Sequence, residues 1–143
     1  MRGLMKIFGA IGICLWLGAQ AQPAALSMAR FEGTGRSCSG TLSINKKTIS
    51  WITPFSHCNA LPYELLEQRR DADKMRYTVR FTGTSPTCRY RILSLTHNEA
   101  QDANIGWEVT GYGLEQSYQA DKANNYTMSA ADMMSCYLVR DKA

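Results

Sequence analysis

TLSINKKTISWI, residues 41–52, alternates apolar and polar side chains on either side of a polar Asn45-Lys46-Lys47 centre. Leu42 and Ile44 lead into that centre and Ile49 and Trp51 lead out of it. A two-residue period interrupted by a short polar turn is the pattern of a β-hairpin with one buried face. Centring the turn between Lys46 and Lys47 sets Leu42 opposite Trp51 and Ile44 opposite Ile49, and continuing the register sets Cys38 opposite Phe55.

The same period runs outward from this hairpin. Ala29–Gly33 precedes it as a short strand. Tyr63 and Leu65 open a strand that runs toward Arg69-Arg70, and Asp71-Ala72-Asp73-Lys74 is a good turn. Tyr77, Val79 and Phe81 then share one face, with Arg76, Thr78 and Arg80 on the other. Thr82-Gly83-Thr84-Ser85-Pro86 breaks the chain, after which Cys88, Tyr90 and Ile92 alternate with Arg89 and Arg91. Leu93 and Leu95 depart from that alternation, which calls for a bulge or a strand buried on both faces. Asn98 to Asn104 reads as a loop, and Ile105, Trp107 and Val109 as a strand. Tyr112 to Tyr126 is polar and irregular, Ser129 to Met134 suits one helical turn, and Cys136 to Val139 closes the chain as a last strand. No stretch reads as a long amphipathic helix. The expected fold is all-β: one antiparallel barrel or sandwich of about eight short strands.

The N-terminus addresses the chain. Arg2 and Lys6 precede an apolar run, Ile7 to Leu17, followed by Ala19-Gln20-Ala21, the order of a secretory signal peptide cleaved after residue 21. The run is shorter than the ~20 apolar residues that span a bilayer, so no stable membrane insertion is expected after cleavage. Gly12-Ile13 before Cys14 does not suit lipid attachment at that cysteine. The mature chain, 22–143, has the size of a single domain. Cleavage takes Lys plus Arg from 16 to 14 against 12 Asp plus Glu, leaving a net charge of +2. That balance, without a Lys/Arg cluster, gives no footprint for nucleic acid. A periplasmic or secreted location follows.

Four cysteines remain: Cys38, Cys58, Cys88 and Cys136. An even number in a small exported domain reads as two disulfides, and no pair has the short spacing of a structural zinc site. Pro54 removes a ladder donor and bends the chain beyond the hairpin, which brings Cys58 toward Cys38. This favours Cys38–Cys58 and leaves Cys88–Cys136.

TPFSHCN, residues 53–59, sets His57 between a serine and a cysteine. With Cys58 in a bridge, and with neighbours on an extended strand facing opposite ways, His57 is expected as a surface residue beside a disulfide. No nucleophile elbow, HExxH motif or phosphate-binding loop is present, and nothing calls for a cofactor or a metal. A small hydrolase built on His57 or His97 with Glu99, Asp102 or Glu108 is the alternative to a binding protein. The binding reading rests on two groups of residues. Arg76, Arg80, Arg89 and Arg91 fall on the outward faces of consecutive strands, where same-face neighbours lie ~5–8 Å apart and guanidinium forks recognise carboxylate or phosphate. Tyr112 and Tyr118, with Tyr126, lie in a long polar stretch whose composition suits an adaptable binding loop. The sequence thus points to a binding, inhibitor or immunity-type protein directed at a protein partner or an anionic ligand.

Overall fold

Residues 41–52 form the expected hairpin in the expected register. In the computed structural model, which describes residues 28–100 and 106–141, β2 (Gly40–Ile44) and β3 (Thr48–Thr53) pair antiparallel, Leu42 facing Trp51 and Ile44 facing Ile49. All four of these side chains are buried. The expected signal segment 1–21, together with Asp102 and Ile105, lies outside the described residues.

Seven further elements complete the chain: β1 (Ala29–Gly33), β4 (Ser56–Asp71), β5 (Lys74–Phe81), β6 (Ile92–Asn98), β7 (Trp107–Tyr112), helix α1 (Glu115–Ala123) and β8 (Met133–Arg140). Each strand pairs antiparallel with the next, and β1 also pairs with β8 through Phe31–Arg140, Glu32–Val139 and Gly33–Leu138. That last ladder makes a closed eight-stranded barrel and removes the free sheet edges a sandwich would leave. The alternation expected on β5 holds: Val79 and Phe81 are buried in the interior while Arg80 points outward to glutamates. Interior side chains from all eight strands meet in one cluster that includes Phe31, Leu42, Trp51, Val79, Leu95 and Leu138. Gly111 belongs to its design, because a Cβ there would lie 2.7 Å from the Tyr90 ring and 2.8 Å from Trp51. Only a bare backbone lets both rings fill the centre. Trp107 is half-buried and stacks with Tyr77 and with His97, with Phe31 edge-on, toward the end where β4 turns into β5.

Two expectations about local structure need correction. Tyr112 to Tyr126 is not an irregular loop, since Glu115–Ala123 is helical, and Ser129 to Met134 contains no helical turn but leads through a turn at Ala131-Asp132 into β8. The helix escapes a period search because EQSYQADKA offers its buried side only Tyr118 and Asp121. Cys88 to Arg91 is likewise not strand: residues 82–91 form a connection, and β6 begins at Ile92.

The helix lies against the outside of the barrel and creates a second, smaller core of Ile92, Tyr112 and Tyr118, with Leu66, Tyr126 and Met133 at its margin. This explains why β6 is apolar on both faces: Leu93 and Leu95 face the interior while Ile92 lies in the second core. A bulge at Leu66, between the Leu65–Val79 and Glu67–Thr78 pairs, adds one residue to β4 and brings Leu66 into that second core.

The disulfides pair differently from expectation: Cys38 with Cys136 and Cys58 with Cys88. The chain does not merely bend at Pro54-Phe55 but reverses. Ser56 faces Thr53, and β4 runs back along β3 so that Cys58 lies opposite Trp51. Cys38, beyond the Gly33–Gly40 pair at the end of the β1–β2 hairpin, is left beside β8. Two disulfides suit an oxidising, extracellular-type environment, and among the described residues no helix is long and apolar enough to cross a membrane.

Candidate binding surface at the disulfide-tied end

Up-and-down topology gathers the β1–β2, β3–β4, β5–β6 and β7–β8 connections at one end of the barrel, and both disulfides tie this end. Further bonds fix its loops. Thr53 Oγ1 accepts from the Ser56 amide at 3.1 Å, closing the turn that carries Phe55. Ser56 Oγ accepts from the Arg89 amide at 2.9 Å, and Thr87 donates through its hydroxyl to the His57 carbonyl at 2.8 Å. The His57 amide in turn donates to the Thr87 carbonyl. The 82–91 connection is therefore bonded to the start of β4 on both sides of its half-cystine.

Phe55, at the tip of its turn, is 58% exposed, and Leu114 at the start of the β7–β8 connection is also exposed. Phe55 borders a recess of about 210 Å³ together with Ser37, Arg89, Tyr90, Asp132 and Met134. A second recess of about 210 Å³ lies on the other side of Arg89 and Tyr90 and reaches Arg91. Arg36, Arg89 and Arg91 are exposed here, and none makes a salt bridge among the described residues. Asp132, beside the first recess, is occupied: it accepts from the Leu114 amide at 2.9 Å and from the Ser117 hydroxyl at 2.8 Å, holding the start of α1. Burial pushes its pKa up, but the Ser117 hydroxyl and the backbone amides around it outweigh that and keep it below the usual carboxylate value. The end therefore presents three arginines without salt bridges around an exposed aromatic ring.

The residues singled out in the sequence divide between two places. Arg89 and Arg91 belong to the disulfide-tied end. Arg76 and Arg80 lie on the barrel flank beside α1. Arg80 bonds Glu64 at 3.1 Å and also pairs with Glu115, so its fork is taken. Arg76 donates to Ser94 Oγ at 2.9 Å and lies 3.4 Å over the Tyr126 ring, a cation–π contact. Tyr112 and Tyr118 are buried beneath the helix and present no ring to solvent. The Tyr112 hydroxyl donates to the buried Asp121 carboxylate at 2.6 Å, and Asp121 also accepts from the Met128 amide. The Tyr118 hydroxyl donates to Glu67 at 3.0 Å. The two histidines lie at opposite ends of the barrel, His57 opposite Ile52 and His97 opposite Met75. Neither is in salt-bridge reach of a carboxylate among the described residues, where Glu99 pairs with Arg70. No three His, Cys, Asp or Glu side chains of the described residues converge as a metal site requires. Neither Phe55, placed only as the register partner of Cys38, nor Arg36 was expected as a binding residue from the sequence. The one available signal was the Pro54-Phe55 turn, where an aromatic at a tight reversal has no strand neighbours to cover it.

Burial, and after it the bond to Glu67, pushes the Tyr118 hydroxyl up to about 12 from an ordinary value of 10.0. A group whose pKa is raised by folding contributes stability in full below its unfolded pKa and loses it as pH rises toward the folded one. Urea unfolding should therefore show stability falling between pH 10 and 12, with Tyr118 accounting for about 2–3 kcal/mol. Tyr118→Phe should make that fall visibly shallower; an unchanged slope would exclude Tyr118 as its source.

Comparison with family models, curated proteins and solved structures finds no match to this chain, so the functional reading is built on its own geometry.

Proposed function

We propose that the chain is an exported binding protein, periplasmic or secreted, of the inhibitor or immunity type, and that it docks a protein partner through the disulfide-tied end of the barrel. The observation that carries this reading is Phe55: a ring 58% exposed on a turn closed by Thr53, bordering the same recess as the unpaired Arg89. Exposed aromatics and arginines are the side chains that dominate binding energy at protein interfaces. Loops already held by two bridges lose little further entropy on docking. The unpaired Arg36, Arg89 and Arg91 call for a partner surface that is acidic and offers an apolar depression for the ring.

The test is affinity capture from exported proteins with the mature domain, followed by titration of the captured partner against variants. Phe55→Ala should weaken binding at least about tenfold, as for a hot-spot aromatic. Arg89→Ala with Arg91→Ala should slow association and flatten its salt dependence. Arg30→Ala, on the outer face of β1, serves as the surface control and should change neither. Binding that survives both end variants unchanged would overturn the assignment of this surface.

A further inference from the structure

A second charged site lies away from the disulfide-tied end, on the flank where β4 turns into β5. Arg69 on β4 is the direct cross-strand partner of Arg76 on β5, so the two guanidinium groups share one face. Like charges directly opposite on a ladder are destabilising. Lys74, two residues before Arg76, shares that face, and Lys122 reaches it from α1. These four cations border one recess of about 160 Å³ together with Asp71 and Tyr126.

The opposing charges do not cancel them. Glu67 is held by Lys122 at 3.1 Å and by the Tyr118 hydroxyl. Burial pushes its carboxyl up, but those bonds and the charges of Lys122 and Arg69 prevail and hold it below the ordinary value. Glu108 borders a neighbouring recess across Thr96. Asp71 is thus the one carboxylate bordering the recess itself, and neither Arg69, Lys74 nor Arg76 makes a salt bridge among the described residues. The last carbonyls of α1, whose partial negative charge would repel an anion, already accept the amides of Asn124, Asn125 and Tyr126. Tyr126 supplies a wall of the recess, its ring underlying Arg76, while its hydroxyl is buried away from it.

We propose that this recess binds the phosphate group of a small ligand, with Arg69 and Arg76 as paired forks and Lys74 as a point charge. Two facing guanidinium groups suit a tetrahedral dianion through bidentate bonds. The volume is below the ~300–1,000 Å³ of pockets that enclose whole drug-sized ligands, so the anionic group enters and the remainder of the ligand stays outside. The site is independent of the protein-docking surface and stands or falls separately.

The experiment is NMR titration of the mature oxidised domain with inorganic phosphate, against sodium chloride at matched ionic strength. Saturable shifts should centre on Arg69, Lys74, Arg76, Lys122 and Tyr126. Arg69→Ala with Lys74→Ala removes two exposed side chains and should weaken phosphate binding at least about tenfold, while Arg89→Ala with Arg91→Ala leaves it unchanged. Glycerol 1-phosphate, titrated in parallel, distinguishes the source: tighter binding than inorganic phosphate marks a phosphate monoester as the natural ligand, and equal binding marks free phosphate. Shifts that do not saturate, that chloride reproduces, or that survive in Arg69→Ala/Lys74→Ala would overturn the proposal.

Discussion

Replacing Cys38 and Cys136 with alanine should lower the unfolding free energy by about 4–5 kcal/mol, the chain-entropy value for a bridge closing a span of 98 residues. Domains of this size have roughly 5–15 kcal/mol in all, so the variant should stand near the limit of folding. The position of the bridge adds to the argument. It joins the β1–β2 connection to β8, across the seam where the barrel closes through only three residue pairs, the shortest ladder in the barrel. Opening that seam exposes the ends of two strands and the interior behind Phe31 and Leu138. The Cys58–Cys88 bridge closes a span of 30 residues, and its removal should cost about 1 kcal/mol less on the same entropy scale. Its loss should weaken the proposed docking more than the fold, because it frees the 82–91 connection that carries Arg89 and Arg91. Urea unfolding of both double variants measures the difference, and non-reducing peptide mapping should recover Cys38 with Cys136. A Cys38–Cys58 peptide, or a costlier loss from the shorter span, would refute this account.

Trp51→Ala should cost about 3–5 kcal/mol, the range for a large aromatic removed from a packed core. Trp51 is 1% exposed, its ring centroid lies 5.1 Å from that of Tyr90, and it packs over the bare backbone of Gly111. The cavity cannot close easily, because β3 is held by ladders to β2 and β4. Glycine at 111 has no side chain to swing into the space. Equilibrium urea unfolding with an unchanged slope would report the loss as stability alone. A loss below about 1 kcal/mol would show that Tyr90 and its neighbours repack, and that the interior tolerates a missing ring.

The two predictions depend on different kinds of knowledge. Burial of Trp51 follows from its place on the apolar side of a period-two run, and so does the outward aim of Arg80 beside a buried Phe81. In an extended chain successive side chains must face opposite ways, so a short stretch states its own inside and outside. The hairpin register at 41–52 was legible for the same reason, since the turn centre sets the opposing residues one by one. The Asp71–Lys74 turn and the number of strands followed as well.

The candidate sites were less legible. Arg89 and Arg91 alternate with Tyr90 and Ile92 as a strand would, yet they belong to a connection that the Cys58–Cys88 bridge and Ser56 pull over the barrel end. Arg69 and Arg76 face each other only because β4 pairs with β5 through a bulge at Leu66. The adjacent apolar pair Leu65-Leu66 gives no local sign of that bulge.

The sequence by itself determined what depends on near neighbours: an all-β chain, its eight strands, the faces of most of them, and the presence of two disulfides. Tertiary structure alone decided closure of β1 on β8, the partners of each cysteine, the helix over β4 to β7, and the division of the cations between the barrel end and its flank. Closure and bridging bring together residues as far apart as Cys38 and Cys136, whose meeting is set by the sum of all the ladders between them. The helix forms because its two buried residues find partners, Tyr118 in Glu67 and Asp121 in Tyr112. Packing of that kind, rather than intrinsic propensity, stabilises a helix of nine residues, and the Glu67 partner lies 51 residues away, outside any local window.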